Sequence, residues 1–245
     1  MKIDVNIVFL LLALLAEIIG TIGGFGSSVF FVPIGNFYFD FHSVLGLTAV
    51  FHLSSNISKI FLFRKGLDKF LILYIGVPSV IFVVVGGILS KYISTLYLEI
   101  VLGIFLVALS ALFLIKKNMV ITPNKQNSVI GGILSGFSAG FLGTGGAIRG
   151  LTMAAFNLEK SIFIATSAFI DFLIDFSRTI VYYQNGYINP DHLIYIPFLF
   201  VIGLVGTYIG KKILEKIPQE QFKTISLALI LLIGIITILK VFFWN

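Results

Sequence analysis

Charged and polar residues interrupt several otherwise apolar stretches of the sequence, and these are the side chains that could do chemistry. Ser167, Asp171, Asp175, Arg178 and Tyr182 recur every three or four positions, which predicts one face of a helix. Intramembrane charges are rare and costly, and they usually face an interior pathway or pair with one another. This stripe therefore indicates a buried polar path through the protein.

The charged members of the stripe are assigned different roles. Asp175 and Arg178 have the spacing of an ion pair on a helix, so a structural pair and direct substrate contact by Arg178 are both open. Asp171 has no partner on its own helix, and we expect it to carry a proton, with Asp175 as its electrostatic neighbour.

A second polar stripe, with Thr48, His52, Ser55 and Lys59 in helical register, lies in the first half of the chain. Ser55 and the adjacent Asn56 are predicted to contact a substrate. His52 fits either a packed neutral imidazole or a proton relay. Lys59 precedes a basic loop, and we expect its long side chain to extend into that loop.

Two glycine clusters, GTIGGFG (Gly20–Gly26) and GFLGTGG (Gly140–Gly146), break apolar segments that are too long for one membrane helix. Backbone freed at such a break must be buried in protein or line a wet cavity. The N–H groups that begin each new half-helix favour an anion, although tight helix packing is an alternative use of the glycines. The predicted anion-binding residues at the breaks are Gly23, Gly24, Gly26, Ser27, Ser28, Gly143, Thr144, Gly145 and Gly146.

Two charged residues flank these breaks. Arg149 follows the second break by three residues, where its guanidinium would reinforce an anion site, and it is the strongest single substrate-binding candidate. Glu17 precedes the first break and fits either proton coupling or the capping of exposed N–H groups.

The composition sets the class of protein that carries these residues. Of 245 residues, 58% are hydrophobic and 11% are charged, against about 25% charged in soluble domains. Such a chain is predicted to be an integral membrane protein, which excludes nucleic-acid-binding proteins and cytosolic enzymes. Cysteine is absent, and the three histidines have no metal-ligand spacing, so we expect no metal, no cofactor and no enzyme activity.

The apolar segments predict an all-α membrane fold. Six segments have the length of a membrane helix. These are Val44–Phe63, Phe70–Ser90, Ser94–Ile115, Ser161–Tyr183, Asp191–Gly210 and Phe222–Phe243. The two broken segments, Ile7–Phe39 and Ser128–Phe156, add a pair of half-helices each.

An internal repeat organises these segments. An offset of 120 residues superimposes Gly20 on Gly140, Gly66 on Gly186 and Lys91 on Lys211 without a gap. The chain is therefore predicted to consist of two homologous repeats, residues 1–119 and 120–245, which together form one transport domain. Duplicated units with glycine-interrupted segments at matching positions are typical of secondary transporters.

Loop charges predict that the two repeats are inverted, because cytoplasmic loops accumulate Lys and Arg. If each broken segment crosses the membrane, the basic residues divide almost evenly between the two sides. If each segment re-enters, Lys2, Lys91 and Lys240 lie on one side, and all the other basic residues outside the spans lie on the opposite side. These others are Arg64, Lys65, Lys69, Lys116, Lys117, Lys125, Lys160, Lys211, Lys212, Lys216 and Lys223. Re-entrant breaks, inverted repeats and both termini outside the cell are expected.

The chain resembles the TauE/SafE family of sulfite-exporter-like permeases over nearly its whole length. The resemblance is carried by GTIGGFGSSVFFVP in the first half and GFSAGFLGTGGAIRG in the second. Phe25 stands where the family often has glycine, and Met153 takes the position equivalent to Pro33. The resemblance implies transport of small anions, often sulfur oxyanions or organosulfonates, across the cytoplasmic membrane.

The residues and the resemblance together predict a proton-coupled secondary transporter of a small anion that works by alternating access. An uncoupled anion channel of the same architecture is the alternative. The expected partners are the anion, protons and the lipid bilayer, with homo-oligomers also compatible with the apolar surfaces.

Overall fold

The computed structural model describes residues 5–23, 26–63, 66–116, 121–214, 216 and 219–244, and the regular elements among them are all helical. An all-α fold is thereby confirmed. The helices are α1 (Ile7–Gly23), α2 (Ser28–Gly35), α3 (Phe41–Leu62), α4 (Lys69–Ser90, with a π-helical turn at Ile72–Gly76), α5 (Thr95–Ile115), α6 (Lys125–Leu142), α7 (Gly146–Ala154), α8 (Lys160–Gln184), α9 (Tyr195–Leu214) and α10 (Gln219–Trp244).

Both broken segments form hairpins in which the short second helix returns along the first. In the first hairpin, Glu17 of α1 accepts a hydrogen bond from Ser27, and the ring of Phe9 contacts Phe39 beyond α2. In the second hairpin, the Ser135 hydroxyl donates to the Gly145 carbonyl across the break. Each hairpin therefore starts and finishes at the same end of the helix bundle.

Helices α3 and α8 pack antiparallel at the centre of the molecule. Asn56 of α3 donates to Asp175 of α8, and further along the same interface the Asp68 N–H donates to Thr166. Helices α5 and α10 are antiparallel as well, because Glu99 near the start of α5 pairs with Lys240 near the end of α10.

Two other interfaces are parallel. Helix α4 packs on α6 so closely that a Cβ atom at Gly136 would lie 2.2 Å from the Ser79 carbonyl oxygen, which only glycine permits. Helix α1 packs on α9, where the Asn6 N–H donates to Tyr195 and Thr207 donates to Glu17. These directions bring the end of α3 and the starts of α4, α6 and α8 to one end of the bundle, which is called the basic end below.

Much of the helix surface is apolar and exposed, as a lipid environment requires. Helices α3, α4, α5 and α9 are long and apolar enough to cross a membrane. The predicted spans agree with the observed helices to within a few residues. Helix α8 carries Asp171, Asp175 and Arg178 along its length, and the side chains at the start of α10 are not described.

Candidate anion-binding site

The two glycine breaks meet in the interior. Gly26 and Gly143 adopt left-handed conformations, with φ of 79° and 77°, which favour glycine. Ser28 at the start of α2 donates to Thr144 of the second break at 3.3 Å. The structure therefore brings the described break residues together. Gly24 lies outside the described residues, and only the backbone of Gly23 is described.

A cavity of about 40 Å³ lies beside this meeting point. It has room for a few water molecules, since one needs about 10–15 Å³. The lining comes from both halves of the sequence and includes two cations and one carboxylate. The lining residues are Gly20, Thr21, Gly26, Lys59, Arg149, Phe163, Ile164, Ser167, Ala168 and Asp171.

Arg149 lies on the first turn of α7, where its backbone N–H donates to the Gly145 carbonyl oxygen. Its side chain is only 2% exposed, yet it lines the cavity. The guanidinium pairs with Asp171 and donates from Nε to the Ser167 hydroxyl at 3.2 Å. Asp171 thus finds across the cavity the partner that its own helix does not supply, and its side chain stays 23% exposed.

Glu17 is buried on the other side of the first break and has a complete set of donors. It accepts hydrogen bonds from Thr21, Thr207 and Ser27, the last at 2.5 Å. Lys59 Nζ lies 2.9 Å from Glu17 Oε1. The expectation that Lys59 extends into the basic loop is wrong, because a buried carboxylate attracts its ammonium group inward more strongly than the loop does.

His52 is packed between Phe31 and Phe51, in agreement with the interpretation of a packed imidazole. Its Nε2 lies 3.0 Å from Ser27 Oγ. A hydroxyl has a single hydrogen, and that of Ser27 goes to Glu17, so His52 Nε2 must be the donor in this contact. Hydrogen bonds therefore run in one direction, from His52 through Ser27 to Glu17.

Arg178 and Asp175 form an ion pair at 2.8 Å, as their spacing predicts. Arg178 also donates to the carbonyl oxygens of Ala139 and Gly143, so it satisfies backbone groups left unpaired where α6 ends. Asn56 donates to the second carboxylate oxygen of Asp175. Tyr182 donates to the Gly140 carbonyl oxygen as well. The side chains that hold the second break in this way are not among the residues that line the cavity. They are Asn56, Asp175, Arg178 and Tyr182.

The family model for "Sulfite exporter TauE/SafE" matches residues 9–237 of the chain. The chain belongs to this family. A probable membrane transporter protein of Methanocaldococcus jannaschii is 24% identical over 256 residues, covering 94% of each chain. No solved structure matches the chain. This TauE/SafE protein is therefore a multi-pass membrane transporter.

Sequence reasoning missed three contributors to the site of this TauE/SafE protein. Thr21 and Ser167 line the cavity, and Thr207 holds Glu17. Ser167 belongs to the recognised stripe and could have been found there. Thr207 could not have been found, because its partner lies in the other half of the chain and a single sequence carries no signal for that contact.

Ser55, which is predicted to contact substrate, accepts a hydrogen bond from Lys59 at 3.4 Å. It is not among the residues that line the cavity. Substrate contact by Ser55, Asn56 and Arg178 stays a prediction, to which the packing around them adds no support.

Proposed function

We propose that this chain is a secondary transporter that carries a small sulfur-containing or other organic anion by alternating access, with the substrate bound in the cavity between the two breaks. The observation that carries the proposal is Arg149, a nearly fully buried guanidinium that faces a cavity rather than closed packing. A buried arginine presents donors in a fork that matches oxyanions. The family description, which names a sulfite exporter, agrees with this chemistry.

Asp171 couples the anion to protons in this proposal. Asp171 and the anion compete for Arg149, so protonation of Asp171 releases the guanidinium for the substrate. Lys59 and Arg178 also act on Asp171 electrostatically, and Asp175 lies on the same helix face. Proton and anion then bind together, and affinity for the anion rises as the pH falls.

Inverted repeats supply the alternating access. Under the 120-residue offset, α3 corresponds to α8 and α5 corresponds to α10, and both pairs run antiparallel. The returning hairpins support re-entrant segments, and all of these features agree with repeats of opposite orientation. Inverted repeats of this type exchange conformations as the substrate site opens to one side and then to the other.

The cavity lies on the basic-end side of the Asn56–Asp175 contact, and a basic end is typical of the cytoplasmic side. The offset counterparts of Arg149, Ser167 and Asp171 are Val29, Leu47 and Phe51, which are buried in the hydrophobic core. We therefore assign this conformation to the inward-facing state, with the termini outside the cell and the outer pathway closed by apolar packing.

Transport by the Arg149→Gln variant tests the proposal. Proteoliposomes with purified wild-type protein should take up a labelled anion from a panel of sulfite, thiosulfate, sulfoacetate, acetate and lactate. Arg149→Gln should fold and lose uptake, whereas Arg149→Lys, which keeps the charge, should retain part of it. Wild-type uptake by Arg149→Gln would remove Arg149 from the site. If a proton gradient failed to concentrate the anion inside the proteoliposomes, the result would favour the uncoupled channel.

A further inference from the structure

We infer that Lys59 is a second cationic substrate ligand, which makes the cavity selective for anions that carry two negative charges. The inference rests on the proposed anion site at Arg149 and adds the charge class of the substrate. It starts from one observation: Lys59 and Arg149, from helices α3 and α7, line the same small cavity.

The ammonium group of Lys59 has a donor to spare. A lysine ammonium has three N–H donors. One of them points to Glu17 at 2.9 Å and a second to Ser55 at 3.4 Å. With its side chain 12% exposed, Lys59 can direct the third donor into the cavity without leaving either partner.

Other hydrogen bonds to Glu17 allow Lys59 to contact both this carboxylate and an anion in the cavity. The Glu17 carboxylate also accepts hydrogen bonds from the hydroxyls of Thr21, Ser27 and Thr207. His52 in turn donates a hydrogen bond to Ser27. The carboxylate keeps these three hydroxyl hydrogen bonds when Lys59 also contacts a bound anion. The partner of Arg149 differs, since Asp171 has a single charged partner and is exposed to the cavity.

The charges around the cavity fit an anion of two charges once Asp171 is protonated. Two cations are then opposed only by Glu17, which leaves one net positive charge. Each helix N-terminus contributes about half an elementary charge. Gly26, two residues before α2, and Arg149, on the first turn of α7, both line the cavity. Together these groups balance a dianion, whereas a monoanion would leave positive charge uncompensated.

The alternative is that Lys59 only neutralises Glu17. The double variant Glu17→Gln/Lys59→Met separates the two possibilities, because it removes both charges together. The glutamine amide oxygen can still accept from Thr21 and Thr207, and its NH2 group can donate to Ser27 in place of the lost acceptor, so the first break keeps its main contacts. The net charge around the cavity is unchanged in this variant, so a lost preference for dianions would come from the missing Lys59 donor itself.

Sulfate and methanesulfonate form a matched pair of probes, because both have a tetrahedral sulfur and they differ by one charge. Binding of these two anions and of thiosulfate would be measured by calorimetry on the purified full-length chain at mildly acidic pH, the condition in which the proposal has Asp171 protonated. We expect wild-type protein to prefer the dianions by at least about tenfold, the effect of one charged hydrogen bond. The double variant should still bind methanesulfonate and lose most of that preference.

The outcomes separate the inference from the function on which it rests. A double variant with the wild-type preference for dianions would overturn the role of Lys59 and leave the anion site intact. Wild-type protein that binds methanesulfonate as tightly as sulfate and thiosulfate would also overturn it. If wild-type protein bound none of these anions and none of the transport panel, the proposed function itself would be contradicted.

Discussion

At the first glycine break a carboxylate is enclosed by donors, whereas at the second break a carboxylate faces a cavity. Glu17 is fully buried and has three hydroxyl partners in addition to Lys59. Asp171 is 23% exposed and depends on Arg149 for its charged contact. The same kind of ion pair is thus fixed at one break and exchangeable at the other.

The two halves of the sequence share glycines at matching positions but differ in their charged residues. Three glycines of each break superimpose under the 120-residue offset, but Arg149 corresponds to Val29 and Asp171 to Phe51. Each half of the chain needs its glycines, because each break contains a left-handed turn and close backbone packing. In the proposed transporter, the arginine that binds the anion comes from the second half alone.

Thiol labelling at matched positions should give the largest contrast between the two halves. The chain has no cysteine, so single variants need no background correction. Ser167→Cys, in the cavity lining, should react quickly with a membrane-impermeant thiol reagent added from the cytoplasmic side. Its offset counterpart Leu47→Cys should be protected from that side, because Leu47 is buried in the core. Reaction of Ser167→Cys only from outside the cell would reverse the assigned orientation.

Arg178→Gln should cause the largest loss of stability. The variant leaves Asp175 as a buried charge without its partner, and breaking such a pair costs about 3–5 kcal/mol. Arg149→Gln should cost less, because Asp171 can take up a proton or water from the cavity. Thermal unfolding of the two variants in detergent checks the order. Partial recovery in Asp175→Asn/Arg178→Gln is the control, and equal destabilisation by both arginine variants would contradict the division of roles.

The helices and the ion pair within α8 could be predicted from the sequence because both are local. Apolar length fixes the spans, and the i, i+3 spacing fixes the pairing of Asp175 with Arg178. The partners of Glu17, Lys59 and Asp171 could not be predicted, because each contact joins different helices. The sequence predicts that Lys59 extends into the basic loop, and only the position of Glu17 on a neighbouring helix overturns that prediction.

Glu17→Gln and Asp171→Asn should differ in stability by a smaller margin. Glu17→Gln removes charge-assisted hydrogen bonds from a closed network and should cost about 1.5–3 kcal/mol. Asp171→Asn should cost less, because the asparagine oxygen can still accept from Arg149 and the guanidinium faces the cavity. Urea or thermal unfolding of both variants checks this difference. A more severe loss in Asp171→Asn would mean that the second pair, rather than the first, is the fixed one.

The most direct test of the exchangeable pair is the pH dependence of anion affinity in wild-type protein and in Asp171→Asn. Sulfate and methanesulfonate suit this measurement, since neither changes its own charge between about pH 5 and pH 8, where shifted carboxylates titrate. Wild-type affinity should rise as the pH falls, by at most about tenfold per pH unit for one coupled proton. Asp171→Asn should bind tightly at every pH, with a flat profile. A variant that keeps the wild-type slope, or wild-type affinity that weakens on acidification, would contradict competition between Asp171 and the anion for Arg149.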